Sequence, residues 1–303
     1  MLRRVRALAA VLALASSAMA GAQDIEPRAF SNTPVGVNFL LAGYAYTRGG
    51  LSLDPDLPLT DAKLRTSNAI LAYARALDVW GMSGKFDAVV PYTWLSGSAQ
   101  YSGQPVDRVV NGFGDPAFRL SVNFYGAPAL TLPEFLSYEQ DLIIGGSLRV
   151  FVPVGQYDST RLINIGAHRW SFKPEVGASK AVGPWTYELM AAAQFYTNND
   201  DFYNGHTRAQ DPVYSVQAHV IRSFASSIWG AVDATYYWGG QSSVDGDASG
   251  VPLKNWRYGA TLVFPVNKYN SVKTYASNGI SARTGANYAL VGVLWQYRWG
   301  GGL

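Results

Sequence analysis

The sequence contains no cysteine. Disulfides, thiolate metal sites and lipid attachment through a cysteine are thereby excluded. Charge is also scarce. Lys, Arg, Asp and Glu make up 15% of the 303 residues, against about 25% in ordinary soluble domains. Three histidines are present, His168, His206 and His219, and they are scattered. The formal net charge is only +3, which points away from a nucleic-acid partner. Beyond Ala22 no apolar run approaches the roughly 20 residues that a helix needs to cross a bilayer. What abounds is Gly (31), Tyr (19) and aromatic residues generally, at 14%. Low charge without a helical span leaves a closed set of strands as the way to meet a membrane.

The N-terminus has the layout of a secretory signal. Arg3, Arg4 and Arg6 precede a short apolar run from Ala7 to Ala15. The small-x-small triplets Ala18-Met19-Ala20 and Ala20-Gly21-Ala22 follow. Residues 1–22 are therefore expected to be a signal peptide cleaved before Gln23. Residues 23–34, polar and carrying two prolines, read as a periplasmic lead-in and a candidate to tuck into the mouth of a barrel. Residues 35–303 read as the barrel itself.

The last strand-like stretch shows why. From Ala289 to Trp299, one face carries Ala289, Val291, Val293, Trp295, Tyr297 and Trp299. The other carries Leu290, Gly292, Leu294, Gln296 and Arg298. Alternation with a period of two marks a strand with two unlike faces. A soluble half-buried strand shares that pattern, and the rest of the chain decides between the two. About twelve such segments follow one another, near 35–49, 66–80, 85–99, 113–125, 138–153, 168–181, 184–198, 211–224, 227–239, 254–266, 270–280 and 287–299. Each is near or above the roughly 9–11 residues of a tilted membrane-spanning strand. Strand after strand sets polar residues against apolar ones. Arg119, Ser121 and Asn123 oppose Phe118, Leu120, Val122 and Phe124. Thr186, Glu188 and Gln194 oppose Tyr187, Leu189, Ala191 and Phe195. The segment 66–80 breaks the pattern, because Asp78 falls in phase with Ile70, Ala72 and Ala74, which suggests a bulge or a strand end.

Connections alternate in length. Long polar ones lie near 50–65, 100–112, 154–167, 199–210, 240–253 and 281–286. Short ones lie at Gly81–Gly84, Val182–Pro184, Ala225–Ser226 and Val266–Tyr269. Long outer loops and short periplasmic turns are the habit of outer-membrane barrels. An even strand count places both termini on the periplasmic side. The segment 126–137 is a periplasmic turn by parity, yet it is long and apolar, in the manner of a small interfacial element.

Several runs carry a family resemblance: Pro34 to Gly50, Gly112 to Pro116, Val152 to Asp158, Asn198 to Phe202, and the closing Trp295 to Leu303. In this order and spacing, over nearly the whole chain beyond residue 22, the sequence resembles the outer-membrane proteins grouped as the phenol-degradation meta-pathway (MetA-pathway) family. The resemblance implies a β-barrel and a channel role in uptake of aromatic or other apolar compounds, and it brings no catalytic residues. The end of the chain also resembles the signal read by the barrel-insertion machinery. Gly292, Trp295 and Tyr297 fit it, but Gly300 to Leu303 trail where a final aromatic is usual.

Catalysis finds little support. A barrel hydrolase needs a Ser nucleophile beside a His base, and no Ser lies in an elbow-like or His-paired local pattern. The Asp245-Gly-Asp247 and Asn199-Asp200-Asp201 runs lack the full ligand spacing of a calcium loop and read as turns. No cofactor is implied. The candidate functional residues are the charges expected in the lumen: Arg75, Arg119, Arg149, Lys173, Glu175, Glu188, Asp233, Arg257, Lys273 and Arg298. They either pair across the barrel or line a pore. Tyr73, Tyr237 and Tyr275 are expected to accompany them. Gly155, Tyr157, Asp158 and Arg161 are a candidate loop gate. The expected protein is a monomeric, all-β, up-and-down antiparallel barrel of about 12 strands in a Gram-negative outer membrane, in contact with membrane lipid. It would pass small solutes passively. The alternative is a closed structural or adhesive barrel with ligand-binding loops.

Overall fold

In the computed structural model, the structure describes residues 26–52, 59–101, 104–224, 227–249, 252–281 and 285–303. The expected signal peptide, residues 23–25 of the lead-in and the Ala225–Ser226 turn lie outside the described residues.

Twelve antiparallel wall strands close into a barrel in simple meander order. The wall begins with β1 (Val37–Ser52), β2 (Leu59–Val79) and β3 (Met82–Tyr101). The next wall strand is in two pieces, β4 (Gln104–Phe113) and β5 (Ala117–Tyr125). Both pair with β3, and Gly114 to Pro116 interrupts them. A four-residue helix, α1 (Leu132–Phe135), leads to β6 (Leu142–Phe151), β7 (Ser171–Val182) and β8 (Trp185–Tyr196). Two short outer strands, β9 (Asn199–Phe202) and β10 (His206–Gln210), precede β11 (Val213–Ser223) and β12 (Trp229–Gly239). Two more, β13 (Ser242–Val244) and β14 (Asp247–Ser249), precede β15 (Leu253–Pro265), β16 (Asn270–Ser281) and β17 (Gly285–Gly300). The seam closes where β1 meets β17, with Val37 opposite Gly300. Closure leaves no unpaired edge in the hydrocarbon, where an unmet backbone group costs several kcal/mol.

The exterior is apolar at mid-height. Leu71, Phe118, Leu120, Leu148, Val176, Leu189, Val232 and Val291 all project outward and are exposed. Aromatic rings gather at the two ends. Tyr214, Trp238, Tyr236, Trp256 and Tyr258 form a continuous stack at the loop end. Trp295, Tyr297 and Trp299 stack at the opposite end. An apolar band between two aromatic girdles is the surface of a protein immersed in lipid, and it places the barrel in the outer membrane.

The loops expected at 199–210 and 240–253 fold together above the barrel. Strands β9, β10, β13 and β14 form a separate four-stranded sheet. The region expected as a loop at 100–112 is largely a hairpin, since β3 and β4 pair from Tyr92–Phe113 out to Tyr101–Gln104. At the periplasmic end, the β2–β3 turn holds Trp80 and Gly81 at φ 54° and 81°. Glycine makes the second of these easy, and the conformation suits a two-residue hairpin. The segment 126–137 contains α1, with Thr131 and Glu134 forming a capping box. The chain just before α1 is tied to the β2–β3 turn, with Ser83 N donating to Ala127 O and Ala129 N to Gly81 O.

Candidate functional site

The interior is organised by residues 26–36, which enter the lumen from the periplasmic end. Val35 N donates to Leu130 O and Gly36 N to Ala76 O, which fixes the point of entry. Asn32 donates to Pro128 O at 3.1 Å. Phe30 is the apolar anchor and is fully buried. Its ring fills a notch made by Gly145 and Gly177, which face each other across β6 and β7. A Cβ on Gly145 would lie 2.6 Å from the ring, and one on Gly177 would meet both the ring and, at 2.8 Å, Met190. The notch therefore requires the absence of both side chains. Asn123 donates to Phe30 O at 3.0 Å and Lys85 to Ala29 O at 3.2 Å.

Charged contacts complete the seating. Arg28 N donates to Glu188 Oε2 at 2.8 Å. The Arg28 guanidinium donates to Ser223 Oγ and lies over the Trp229 ring. Glu26 is held between two guanidiniums, in an ion pair with Arg119 and in a second with Arg149 at 2.9 Å. Arg119 in turn donates to Asp87 at 2.8 Å. Lys85 and Lys273 stand close enough to act on the Glu26 carboxylate electrostatically.

Strand parity sends nine of the ten expected lumen charges inward. Arg119, Arg149, Lys173 and Glu175 share a belt across β5, β6 and β7, with Lys173 and Glu175 3.7 Å apart. Glu188 lies opposite His219, and His219 Nδ1 lies 2.5 Å from Asp233. Arg257 donates to Ser277 and lies over Tyr288. Lys273 lies near the Tyr275 ring, and Arg298 donates to Lys268 O at the periplasmic rim. Arg75 is the exception. On β2 the inward residues are Ile70, Ala72, Ala74 and Ala76, so Arg75 is exposed on the outer face beside Tyr73. Tyr73 likewise faces out and packs on Trp299, whereas Tyr237 and Tyr275 face in. Of the two readings of Asp78, a bulge or a strand end, the second holds: β2 and β3 pair without a shift from Lys63 to Val79, and β2 ends there.

The four residues expected as a gate belong to a folded outer loop, 152–170. Asp115, in the break between β4 and β5, accepts from Gly155 N at 2.8 Å and Ala167 N at 2.7 Å. Burial pushes its carboxyl above the usual range. Gly155 sits so close that a Cβ there would lie 2.7 Å from Asp115 Oδ1. Tyr157 stacks on His168 at 4.5 Å, accepts from Asn199 and donates to Asp201 O. The Asp158 carboxylate accepts from Thr160, and Arg161 lies 4.0 Å away and exposed. None of these four touches the lumen cavity. The loop residues that do are Ile165, Ala167 and Arg169. Arg169 is buried, bonds Gln210 and lies over Tyr196. Burial holds its guanidinium down at about 10.

Beside the inserted segment runs a cavity of about 780 Å³. Its lining reaches from Gly49, Leu64 and Tyr288 at the outer end to Asn267, Tyr269 and Arg298 at the periplasmic rim. Its two sides differ. Phe39, Leu41, Ile70, Ala72, Leu290 and Leu294, on β1, β2 and β17, make an apolar wall. Arg119, Arg149, Lys85 and Asp87, with Glu26, make the polar one.

A closed, lipid-facing barrel with a chain segment folded into its lumen defines the class: a 12-stranded outer-membrane β-barrel. Within that class, the chain belongs to the family described as "Putative MetA-pathway of phenol degradation", which matches residues 48–295. No curated protein sequence matches it. Among solved structures it is similar to the COG4313 outer membrane channel from Pseudomonas putida F1, at 18% identity and a TM-score of 0.76, covering 91% of this chain and 100% of that one. More distantly it resembles the transport unit of the autotransporter AIDA-I from Escherichia coli, at 10% identity and a TM-score of 0.53, covering 96% and 97%. The beta domain of the Bordetella autotransporter BrkA is similar at 12% identity and a TM-score of 0.52, covering 88% and 100%.

Proposed function

We propose that the protein is a passive channel for small solutes, narrowed at rest by residues 26–36. The carrying observation is the lumen cavity of about 780 Å³ lined from the outer end to the periplasmic rim. A 12-stranded lumen is intermediate between the filled eight-stranded barrels and the open sixteen-stranded porins. The inserted segment fills part of it, and beside the segment the passage runs along β1, β2, β16 and β17. Arg119 and Arg149 of the belt pair with the inserted segment and also border the passage, so the same two residues hold the segment and tune which ions pass. The apolar wall supports entry of solutes with an aromatic or aliphatic body.

Single-channel recording in planar bilayers tests this reading. The intact protein should give small, steady ohmic steps, and removal of residues 23–34 should enlarge them several-fold. Silence in both proteins would overturn the channel reading and favour a closed barrel that acts through its outer sheet.

A further inference from the structure

We infer that the Arg119–Arg149 pair is a carboxylate-binding subsite of the passage. Glu26 occupies it at rest as a built-in ligand, and the solutes it serves are small monocarboxylates with an apolar body. The transport consequence rests on the channel reading; the binding claim does not.

Two observations made independently converge here. The first is the cage. Two buried guanidiniums from adjacent strands, Arg119 and Arg149, grip the two oxygens of one carboxylate. Guanidinium is the group best matched to a carboxylate, through parallel charged hydrogen bonds. Lys85 and Lys273 add positive charge from β3 and β16. The carboxylate in the cage is not fixed to the wall. It belongs to the inserted segment, which is tied to the barrel through Val35 and Gly36, whereas Asp87, the carboxylate bonded to Arg119, is part of the wall itself. With Glu26 withdrawn, Arg119 keeps Asp87 and Arg149 keeps Glu175 nearby, but the cluster of Arg119, Arg149, Lys85 and Lys273 loses one of its counter-charges, at a free-energy cost in a buried site. An incoming anion removes that cost.

The second observation is the apolar wall. Leu41, Ile70, Ala72, Leu290 and Leu294 present an apolar surface to the same cavity that Arg119 and Arg149 border. A purely ionic solute gains nothing from that wall, and a purely apolar solute gains nothing from the cage. A benzoate-like molecule uses both, with its carboxylate in the cage and its ring against the leucines. Such a solute competes with Glu26 for the two arginines and thereby loosens the segment that narrows its path.

The test compares benzoate with benzamide, a neutral molecule of nearly the same shape. Their effects are titrated on the intact protein, on Glu26→Gln and on Glu26→Gln/Arg149→Gln. Current through single channels is read in 0.1 M KCl, and binding in detergent is read from intrinsic tryptophan fluorescence. Glu26→Gln removes the competing carboxylate charge without touching the wall. It should lower the half-effective benzoate concentration ~10-fold or more, because a tethered competitor acts at an effective concentration of the order of millimolar. Adding Arg149→Gln should return the value to that of the intact protein or higher, and benzamide should distinguish none of the three. If Arg149→Gln impairs folding, Lys273→Gln in the Glu26→Gln background replaces it, with a smaller loss in the same direction. Equal responses to benzoate and benzamide, or equal benzoate affinities with and without Glu26, would overturn the subsite. Absent current with the affinity difference intact would overturn only the channel reading.

Discussion

The Phe30 notch offers a way to open the lumen without altering a charge. Phe30→Ala removes a ring that is 1% exposed and seated between Gly145, Gly177 and Met190. Truncating a fully buried Phe costs about 3–5 kcal/mol where the surroundings do not collapse. Here the cost falls on the seating of residues 26–36, because the ring touches the barrel only from within. Taking the lower figure, about 3 kcal/mol is a change of about 100-fold in the ratio of seated to withdrawn segment. Gly177→Ala tests the same contact from the wall side. Its Cβ would fall inside the ring's van der Waals radius and 2.8 Å from Met190, while the backbone at Gly177 is that of an ordinary strand residue. Both variants should fold to heat-resistant barrels, and both should raise the mean single-channel conductance toward that of the protein lacking residues 23–34. Solvent accessibility of a cysteine introduced at position 32 should rise in parallel with Gly177→Ala. Unchanged conductance in both variants, with the cysteine exposed, would show that the inserted segment is not the barrier.

Two further outcomes follow from the exterior and the outer sheet. Leu120→Arg places a charge near the middle of the lipid face and should destabilise the folded barrel by about 2–4 kcal/mol, measured by urea unfolding in lipid vesicles. The neighbouring inward position Ser121 should tolerate Asn with little loss. In the outer sheet, Asp245 accepts from Thr207 N at 2.9 Å and lies 2.6 Å from His206 Nδ1. The Thr207 N–H first, and His206 next, hold its carboxyl below the usual value of 3.8. A depressed carboxyl lends order above its unfolded pKa and loses it as pH falls through the folded value. The β10–β13 contact should therefore persist at pH 4 and loosen below it, and a carboxyl carbon titration by NMR should show a midpoint below 3.8. A midpoint at or above that value would remove the ion pair from the account.

Much of the barrel was legible because lipid outside and water inside impose opposite chemistry on alternate residues. Where both faces are apolar, that contrast disappears. On β2 the inward Ile70, Ala72 and Ala74 are no more polar than the outward Leu71 and Tyr73. Arg75 was therefore expected inside and stands outside. The same blindness hid the β2 part of the apolar wall, Ile70 and Ala72, whereas Leu290 and Leu294 already shared the face of Gln296 and Arg298. The belt of Arg119, Arg149, Lys173 and Glu175 was legible because charges are costly anywhere but the lumen. Its partner Glu26 was not, because a residue 93 positions from Arg119 and 123 from Arg149 carries no local sign of the contact. Gly145 and Gly177 were equally silent: a glycine in a strand announces close approach, but not of what. The motifs Gly112–Pro116 and Val152–Asp158 were read separately, and Asp115 turns out to join them.

The reach of the inserted segment has a consequence for assembly order. Residues 26–36 are made before any strand of the wall, yet every group that seats them comes later. Arg119, Asn123, Arg149, Glu188 and Ser223 lie on β5, β6, β8 and β11. The hinge at Val35 and Gly36 adjoins Val37, the first residue of the seam with β17. Such long-range contacts form slowly, because each closes a large loop. The earliest-made part of the described chain therefore finds only Ala76 and Lys85 on the early strands, and its charged and apolar seats wait until most of the wall exists. From Gly36 it can span at most about 35 Å, enough to wait beneath the unfinished barrel and enter from the periplasmic end once the strands that seat it are in place.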